Sequence, residues 1–273
     1  MKIIIKVKGS AYSGNYGHAG IPGHQGGSAS SFSSATLGEI SHVKKLPGGV
    51  TKGYILSYTE DGRAAWKELR AAGDAHDGNS EVAAYKLNQL LGGNEVPETV
   101  FAEYRGRSGT SQTFVEGATL GVEATAKTIQ DTDPLSIDRI VALDIIISNS
   151  DRHPGNFLIK DGNVIAIDNG HASWGRYREG STILQRHALV QAIAEEDPTR
   201  NVDVMYESTD KWGNRRYNTR YYWFDDASIA RWKKITREQF DKALEGISEY
   251  GNVRKENAWA NLQYIVNSGG RVG

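Results

Sequence analysis

Residues 148–170 read SNSDRHPGNFLIKDGNVIAIDNG, and this stretch decides how the rest of the chain is understood. Phe157 to Lys160 and Asn163 to Ile167 are β-prone runs separated by Asp161-Gly162, the strongest short-range hairpin signal. With those two residues in the turn, Lys160 pairs with Asn163. Counting outward then sets Asn156 opposite Ile167 and Gly155 opposite Asp168, so the hairpin brings Asn156 and Asp168 to its open end. An amide oxygen and a carboxylate placed there are hard oxygen ligands suited to Mg²⁺ shared with phosphates. Asp151 precedes Asn156 by five residues, in a loop that Pro154 and Gly155 keep out of the helix. A carboxylate held there can accept a proton from an incoming hydroxyl while a metal neutralises the transferring phosphoryl group.

Upstream, Asp133-Pro134 is an N-cap followed by proline at the first helical position. Ile137, Ile140, Val141, Leu143, Ile145, Ile146 and Ile147 make the helix that follows apolar nearly all round, and such a helix is buried. Asp144 inside it then needs a partner, because an unpaired buried charge is expensive, and the expected role is to anchor the Asp151 loop. Nearer the N-terminus, Glu39 to Leu46, Tyr54 to Thr59 and Arg63 to Glu68 read as strands, the last two joined at Asp61-Gly62. Pro47 to Gly53 is a glycine-rich connection. Ser80 reads as the N-cap of a helix over Glu81 to Leu91, ended by Gly92. Val96 to Glu103 and Ser111 to Val115 extend the sheet. Later helices are expected at Leu184 to Glu195, Ala227 to Lys234 and Arg237 to Ile247, the last opened by the capping-box pattern Thr236 to Gln239. The layout is α+β, a small β-rich lobe followed by a larger helical one.

An Asp followed five residues later by Asn, then a short hairpin and an Asp beside Gly, resembles the catalytic and metal-binding layout of the protein-kinase-like superfamily. The order Asp151-Arg152-His153 with Asn156 is similar to its phosphatidylinositol 3- and 4-kinase branch, in particular to the small bacterial and phage-type members. The resemblance covers about residues 40 to 175 and implies a bilobal kinase-like fold. The expected organisation is a Gly/Ser-rich leader over 1–38, an N-lobe over 39–118 and a C-lobe over 119–273. LPGGVTKGY at Leu46 to Tyr54 resembles the phosphate-covering loop, which implies nucleotide contact at Gly48 and Gly49. Lys67 matches the lysine that binds the α- and β-phosphates, and Glu81 the helix glutamate that pairs with it. Phe114 and Val115 fall where the hinge stacks against adenine. The same mapping makes Asp151 the catalytic base, His153 a supporting catalytic residue, and Asn156 with Asp168 the metal ligands. ATP and Mg²⁺, with Mn²⁺ as a substitute, are the implied cofactors. The sequence departs from the pattern at Asn169, where the family carries Phe, and at Glu68, where many relatives carry proline. Lys52 is a rival phosphate-contacting lysine.

The activity so implied is transfer of the γ-phosphate of ATP to a hydroxyl, with a protein acceptor favoured over a lipid or small molecule. The alternatives are an inactive kinase-like binding or phage-structural protein, and a transferase that moves AMP on the same fold.

Composition narrows the classes further. The 273 residues carry 32 Lys and Arg against 33 Asp and Glu, a net charge of −1 that offers no whole-chain attraction for nucleic acid, which is not an expected partner. The absence of cysteine excludes thiol catalysis, disulfides and cysteine-based zinc sites. The longest aliphatic runs, Ile3 to Ile5 and Ile145 to Ile147, fall far short of the roughly 18 residues of a membrane helix, so integral membrane association is not expected. Lys2, Lys6 and Lys8 interrupt the N-terminal stretch before an apolar core forms, so no signal peptide is expected. A cytoplasmic location follows, in the host cytoplasm or on the virion for a phage-encoded protein. Gly9 to Ser34 has no charged side chain and is read as a flexible leader able to dock to a partner. GHAGIPGHQGGS within it is similar to stretches in proteins encoded near phage head genes. Arg176 and Arg178 follow the Asp168 segment, where kinases read substrate. Lys211 to Trp223 interleaves basic and aromatic residues and reads as a strand or loop covering the C-lobe, or as a surface for an anionic partner.

Overall fold

The structure is a computed structural model that describes residues 40–46, 53–58, 62–69, 77–197, 201–209, 215–247 and 252–273. The leader, Gly48 and Gly49, and Lys52 lie outside the described residues.

Strands β1 (Ile40–Lys45), β2 (Gly53–Tyr58) and β3 (Arg63–Glu68) form an antiparallel meander, joined after helix α1 (Gly78–Leu90) by β4 (Thr99–Tyr104) and β5 (Arg107–Thr113). The five strands are ordered β1-β2-β3-β5-β4. Side chains alternate across the pleat. In β3 this sends Ala64 and Trp66 into a small apolar cluster with Leu56, Tyr58, Ala102 and Tyr104. Lys67, next along the strand, therefore faces the other side of the sheet, where α1 lies. Trp66 is 1 % exposed and its indole N–H donates to the Ala102 carbonyl at 3.2 Å.

The helix α1 begins three residues before the expected start. Asp77, not Ser80, is its N-cap, with Oδ1 accepting from the Asn79 N–H at 3.0 Å. The Ser80 hydroxyl is committed instead to Asp77 Oδ2 and to the Trp174 indole N–H, at 3.2 and 2.8 Å.

After β6 (Thr119–Leu120) and α2 (Ala126–Gln130), helix α3 (Pro134–Ile147) runs through the main core. Asp133 caps it as the sequence implies, accepting from the Leu135 N–H at 3.1 Å. Strands β7 (Phe157–Lys160) and β8 (Asn163–Ala166) pair in the expected register, with Lys160 opposite Asn163 and Phe157 opposite Ala166. The pattern continues one step further, as the Ile167 N–H donates to the Asn156 carbonyl at 3.1 Å.

The remainder is α4 (Thr182–Arg186), α5 (Ala188–Glu196), β9 (Val202–Thr209), β10 (Arg215–Trp223), α6 (Asp226–Trp232), α7 (Arg237–Ala243), α8 (Asn252–Asn267) and β11 (Arg271–Val272). The single helix expected over Leu184 to Glu195 is two helices, α4 and α5, broken at His187, whose backbone is extended. The break releases the Ala188 N–H to donate to the Arg152 carbonyl at 2.9 Å. Of the two other expected helices, α6 starts one residue before its expected span and α7 starts with its own, and both end sooner, α7 with its capping box formed. The basic and aromatic run ends in β10, which pairs with β9 and β11. The helix α8 escapes the sequence pattern because charged and amide residues dominate its first two turns. Ala258, Leu262, Ile265 and Val266 are its buried apolar residues, with Trp259 and Tyr264 packed beside them. Among the described residues no helix is long and apolar enough to cross a membrane.

Asp138 ties α3 to this last region, accepting from the Tyr222 hydroxyl at 2.7 Å and the Asp225 N–H at 2.8 Å. Burial pushes its carboxyl up from 3.8 to about 6, the two hydrogen bonds only partly opposing it. A carboxyl whose folded pKa is raised contributes stability that is complete below about pH 4 and lost as pH rises through 6. The melting temperature of the wild type, measured relative to Asp138→Asn, is therefore expected to fall between about pH 4 and pH 7. A difference that rises over that range contradicts the assignment.

Candidate active site

Lys67 on β3 reaches across to α1 and to the segment that follows β8. Its ammonium lies 2.8 Å from Glu81 Oε1 and 2.8 Å from Asp168 Oδ1. Glu81 is 2 % exposed, and its second oxygen accepts from the Asn169 N–H at 3.0 Å. One carboxylate thus holds both the lysine and the backbone beside Asp168. Burial works to lower the Lys67 ammonium, but Glu81 and Asp168 more than offset it and hold it above the ordinary lysine range. Lys67→Met would leave Glu81 buried without its cation and is expected to lower unfolding stability by about 1.5–3 kcal/mol in a denaturant titration.

Two further bonds join α1 to the same segment. The Asp77 N–H donates to the Gly170 carbonyl at 2.8 Å, and Trp174 reaches Ser80 as described. The start of α1 and the chain from Asp168 to Trp174 are therefore fixed relative to one another by backbone and side chain alike.

The loop from Ser148 to Asn156 is built on the end of α3. Ser148 closes the helix in a left-handed conformation, and the Asn149 N–H returns to the Asp144 carbonyl at 2.8 Å. The Asn149 side-chain amide donates to Asp144 Oδ1 at 2.9 Å, while its Oδ1 accepts from the Asp151 N–H at 3.0 Å. The Asn156 amide donates to the Asp151 carbonyl at 2.9 Å and to Asp151 Oδ2 at 3.3 Å. With its NH₂ group turned to Asp151, Asn156 keeps its amide oxygen as the atom able to face a cation. Asn156 itself is buried. His153 is exposed; its Nδ1 accepts from the Gly155 N–H at 3.0 Å and starts the short 3₁₀ turn Pro154–Asn156.

Asp144 does hold this loop, and the residue it holds is Arg152. The guanidinium Nε and Nη2 donate to the two Asp144 oxygens at 2.8 and 2.9 Å, and both side chains are fully buried. His187 Nε2 lies 3.0 Å from Asp144 Oδ2, out of line for a well-formed hydrogen bond. Burial alone would raise the Asp144 carboxyl, yet the charge of Arg152 holds it down at about 2. Burial pushes the His187 imidazole below its ordinary value. Sequence reading finds Asp144 from its place in an apolar helix but does not name its partner. Arg152 was the available signal, as the arginine of the loop that Asp144 was expected to anchor.

Phe114 and Val115 follow β5, half-buried, on the stretch that leaves the five-stranded sheet. The Phe114 N–H donates to the Arg63 carbonyl at 2.9 Å, and the Arg63 guanidinium sits 4.5 Å above its ring while pairing with Glu116. Of the sequence-derived site, the structure brings Lys67, Glu81 and Asp168 into contact and joins Asn156 to Asp151. The hairpin register then sets these two groups side by side, because Asn156 is bonded to Ile167, the neighbour of Asp168.

Residues 123–172 match the phosphatidylinositol 3- and 4-kinase family. The matched segment runs from the end of the sheet through α3, the Asp151 loop and the hairpin to the residues just after Asp168, so every loop and hairpin residue discussed above falls inside this kinase-like span. Similar solved structures include the Golgi casein kinase with Mn/ADP bound, at 13 % identity over 84 % of this chain and 72 % of that one, with a TM-score of 0.48. Another is the Helicobacter pylori proinflammatory kinase CtkA, at 15 % identity over 84 % of this chain and 92 % of that one, with a TM-score of 0.46. No curated protein matches the chain.

Proposed function

We propose that the protein is an ATP- and Mg²⁺-dependent phosphotransferase that moves the γ-phosphate to a hydroxyl, with a protein acceptor preferred to a lipid or small molecule. The observation that carries this reading is the Lys67–Glu81–Asp168 contact beside an Asp151 loop within a phosphatidylinositol 3-/4-kinase-like segment. A lysine held by one buried carboxylate presents a fixed cation for the α- and β-phosphates. Asn156 and Asp168 supply an amide oxygen and a carboxylate, a donor set that fits Mg²⁺ bound through few protein ligands and completed by phosphate oxygens. When bound, the metal neutralises charge on the transferring group. Asp151 is the base that orients the acceptor hydroxyl and takes its proton. His153, with Nδ1 already committed to the turn, supports the loop. Gly48 and Gly49 cover the phosphates, and Phe114 and Val115 border the adenine. The uncharged stretch Gly9 to Ser34 remains a candidate for partner docking.

The donor set does not by itself distinguish phosphoryl from AMP transfer, because both need a metal-bound triphosphate. ATP labelled on either the α- or the γ-phosphate separates them. Incubated with Mg²⁺ and a panel of protein and lipid acceptors, the protein is expected to transfer γ-label only. Transfer of α-label would make it a nucleotidyl transferase, and γ-transfer that survives Asp168→Ala would overturn the metal assignment.

A further inference from the structure

Asp168 carries a backbone strain that its surroundings explain. Its φ is +55°, in the left-handed region that is uncommon for a residue with a Cβ, although aspartate enters it more readily than most. Both neighbours are clamped by the same side chain. Arg152 Nη1 donates to the Ile167 carbonyl at 2.8 Å, and Nη2 donates to Asn169 Oδ1. Nη1 also reaches the Asn156 carbonyl, so one guanidinium touches the backbone of one proposed metal ligand and both flanks of the other. With the two bonds to Asp144, Arg152 makes five hydrogen bonds while 1 % exposed. Asn169 is fully buried, and its own N–H is held by Glu81. Its Nδ2 has no hydrogen-bond partner among the described residues, so its contribution lies in the oxygen that meets Arg152.

We infer that Arg152 and Asn169 are positioning residues, a buried clamp that holds Asp168 in its left-handed backbone and so sets its carboxylate beside Asn156. This rests on the reading of Asn156 and Asp168 as metal ligands. A phenyl ring at position 169 could not accept from the buried guanidinium; the amide makes position 169 part of a polar lock.

The test reads metal affinity and not turnover. Free Mn²⁺ is titrated by electron paramagnetic resonance against full-length protein with ADP present, for the wild type, Asp168→Ala, Asn169→Leu and Asn169→Asp. Removing a partner that orients a metal ligand weakens metal binding by roughly 10–100-fold. Asn169→Leu is expected to show a loss of that size with its thermal unfolding still cooperative. Asn169→Asp, which keeps an acceptor oxygen for Arg152, should recover most of the affinity. Should the leucine variant fail to fold, Asn169→Ser, too short to reach Arg152, carries the same expectation. Wild-type affinity in Asn169→Leu or Asn169→Ser, with Asp168→Ala still impaired, overturns the clamp alone. Equal affinity in the wild type and Asp168→Ala overturns the metal site and the clamp together.

Discussion

Asp151→Asn is expected to lower the rate of γ-phosphoryl transfer by roughly 10²–10⁴-fold, the usual contribution of a positioned general base. The substitution preserves shape, so the bonds that present this side chain are retained: the backbone N–H to Asn149 and the contact with Asn156. Nucleotide affinity should stay within a few-fold of wild type, because Lys67, Asn156 and Asp168 are untouched. A steady-state assay with γ-labelled ATP, paired with ADP binding by calorimetry, gives both numbers. A rate within a few-fold of wild type would remove Asp151 from the chemistry and leave it as a loop residue.

The second large effect is on folding. Asp144→Ala strips the buried Arg152 guanidinium of its counter-charge, and breaking such a pair from one side destabilises by about 3–5 kcal/mol. That is a large fraction of the ordinary stability of a domain, so the midpoint of urea unfolding should fall sharply. Asp144 also shapes the acid limb. A carboxyl held at about 2 contributes stability that is complete above its ordinary 3.8 and is lost as pH falls toward 2. The wild type should lose stability faster than Asp144→Asn across that acid window, the opposite sense to the Asp138 effect. A urea midpoint for Asp144→Ala close to wild type would show that Arg152 finds other compensation.

What the sequence made legible follows the range of its signals. The β7–β8 hairpin is local: two turn residues and strict counting place Asn156 beside Ile167, and the structure agrees to the residue. The α3 cap and its all-round burial are local too. Lys67 and Glu81 sit on different elements, β3 and α1, and reading them as a pair required the resemblance to a family. Where competing partners exist, local rules fail. Ser80 has the chemistry of an N-cap, yet Asp77 takes that place and Ser80 serves Trp174, ninety-four residues away in sequence. His187 lies in a helical pattern, yet its backbone is extended and the N–H that follows it bonds the Arg152 carbonyl. Asn169 reads in sequence as a missing phenylalanine; its bond to the buried Arg152 guanidinium appears only in the fold.

In the function proposed above, Asn156 and Asp168 converge on one metal bound with nucleotide. A crystal of the protein grown with ADP and Mn²⁺, measured for the anomalous signal of manganese, tests it directly. The predicted result is a single strong peak within oxygen-ligand distance of the Asn156 amide oxygen and an Asp168 carboxylate oxygen, about 2.0–2.2 Å for a small divalent ion. A nucleotide bound with its manganese away from both residues would contradict the account.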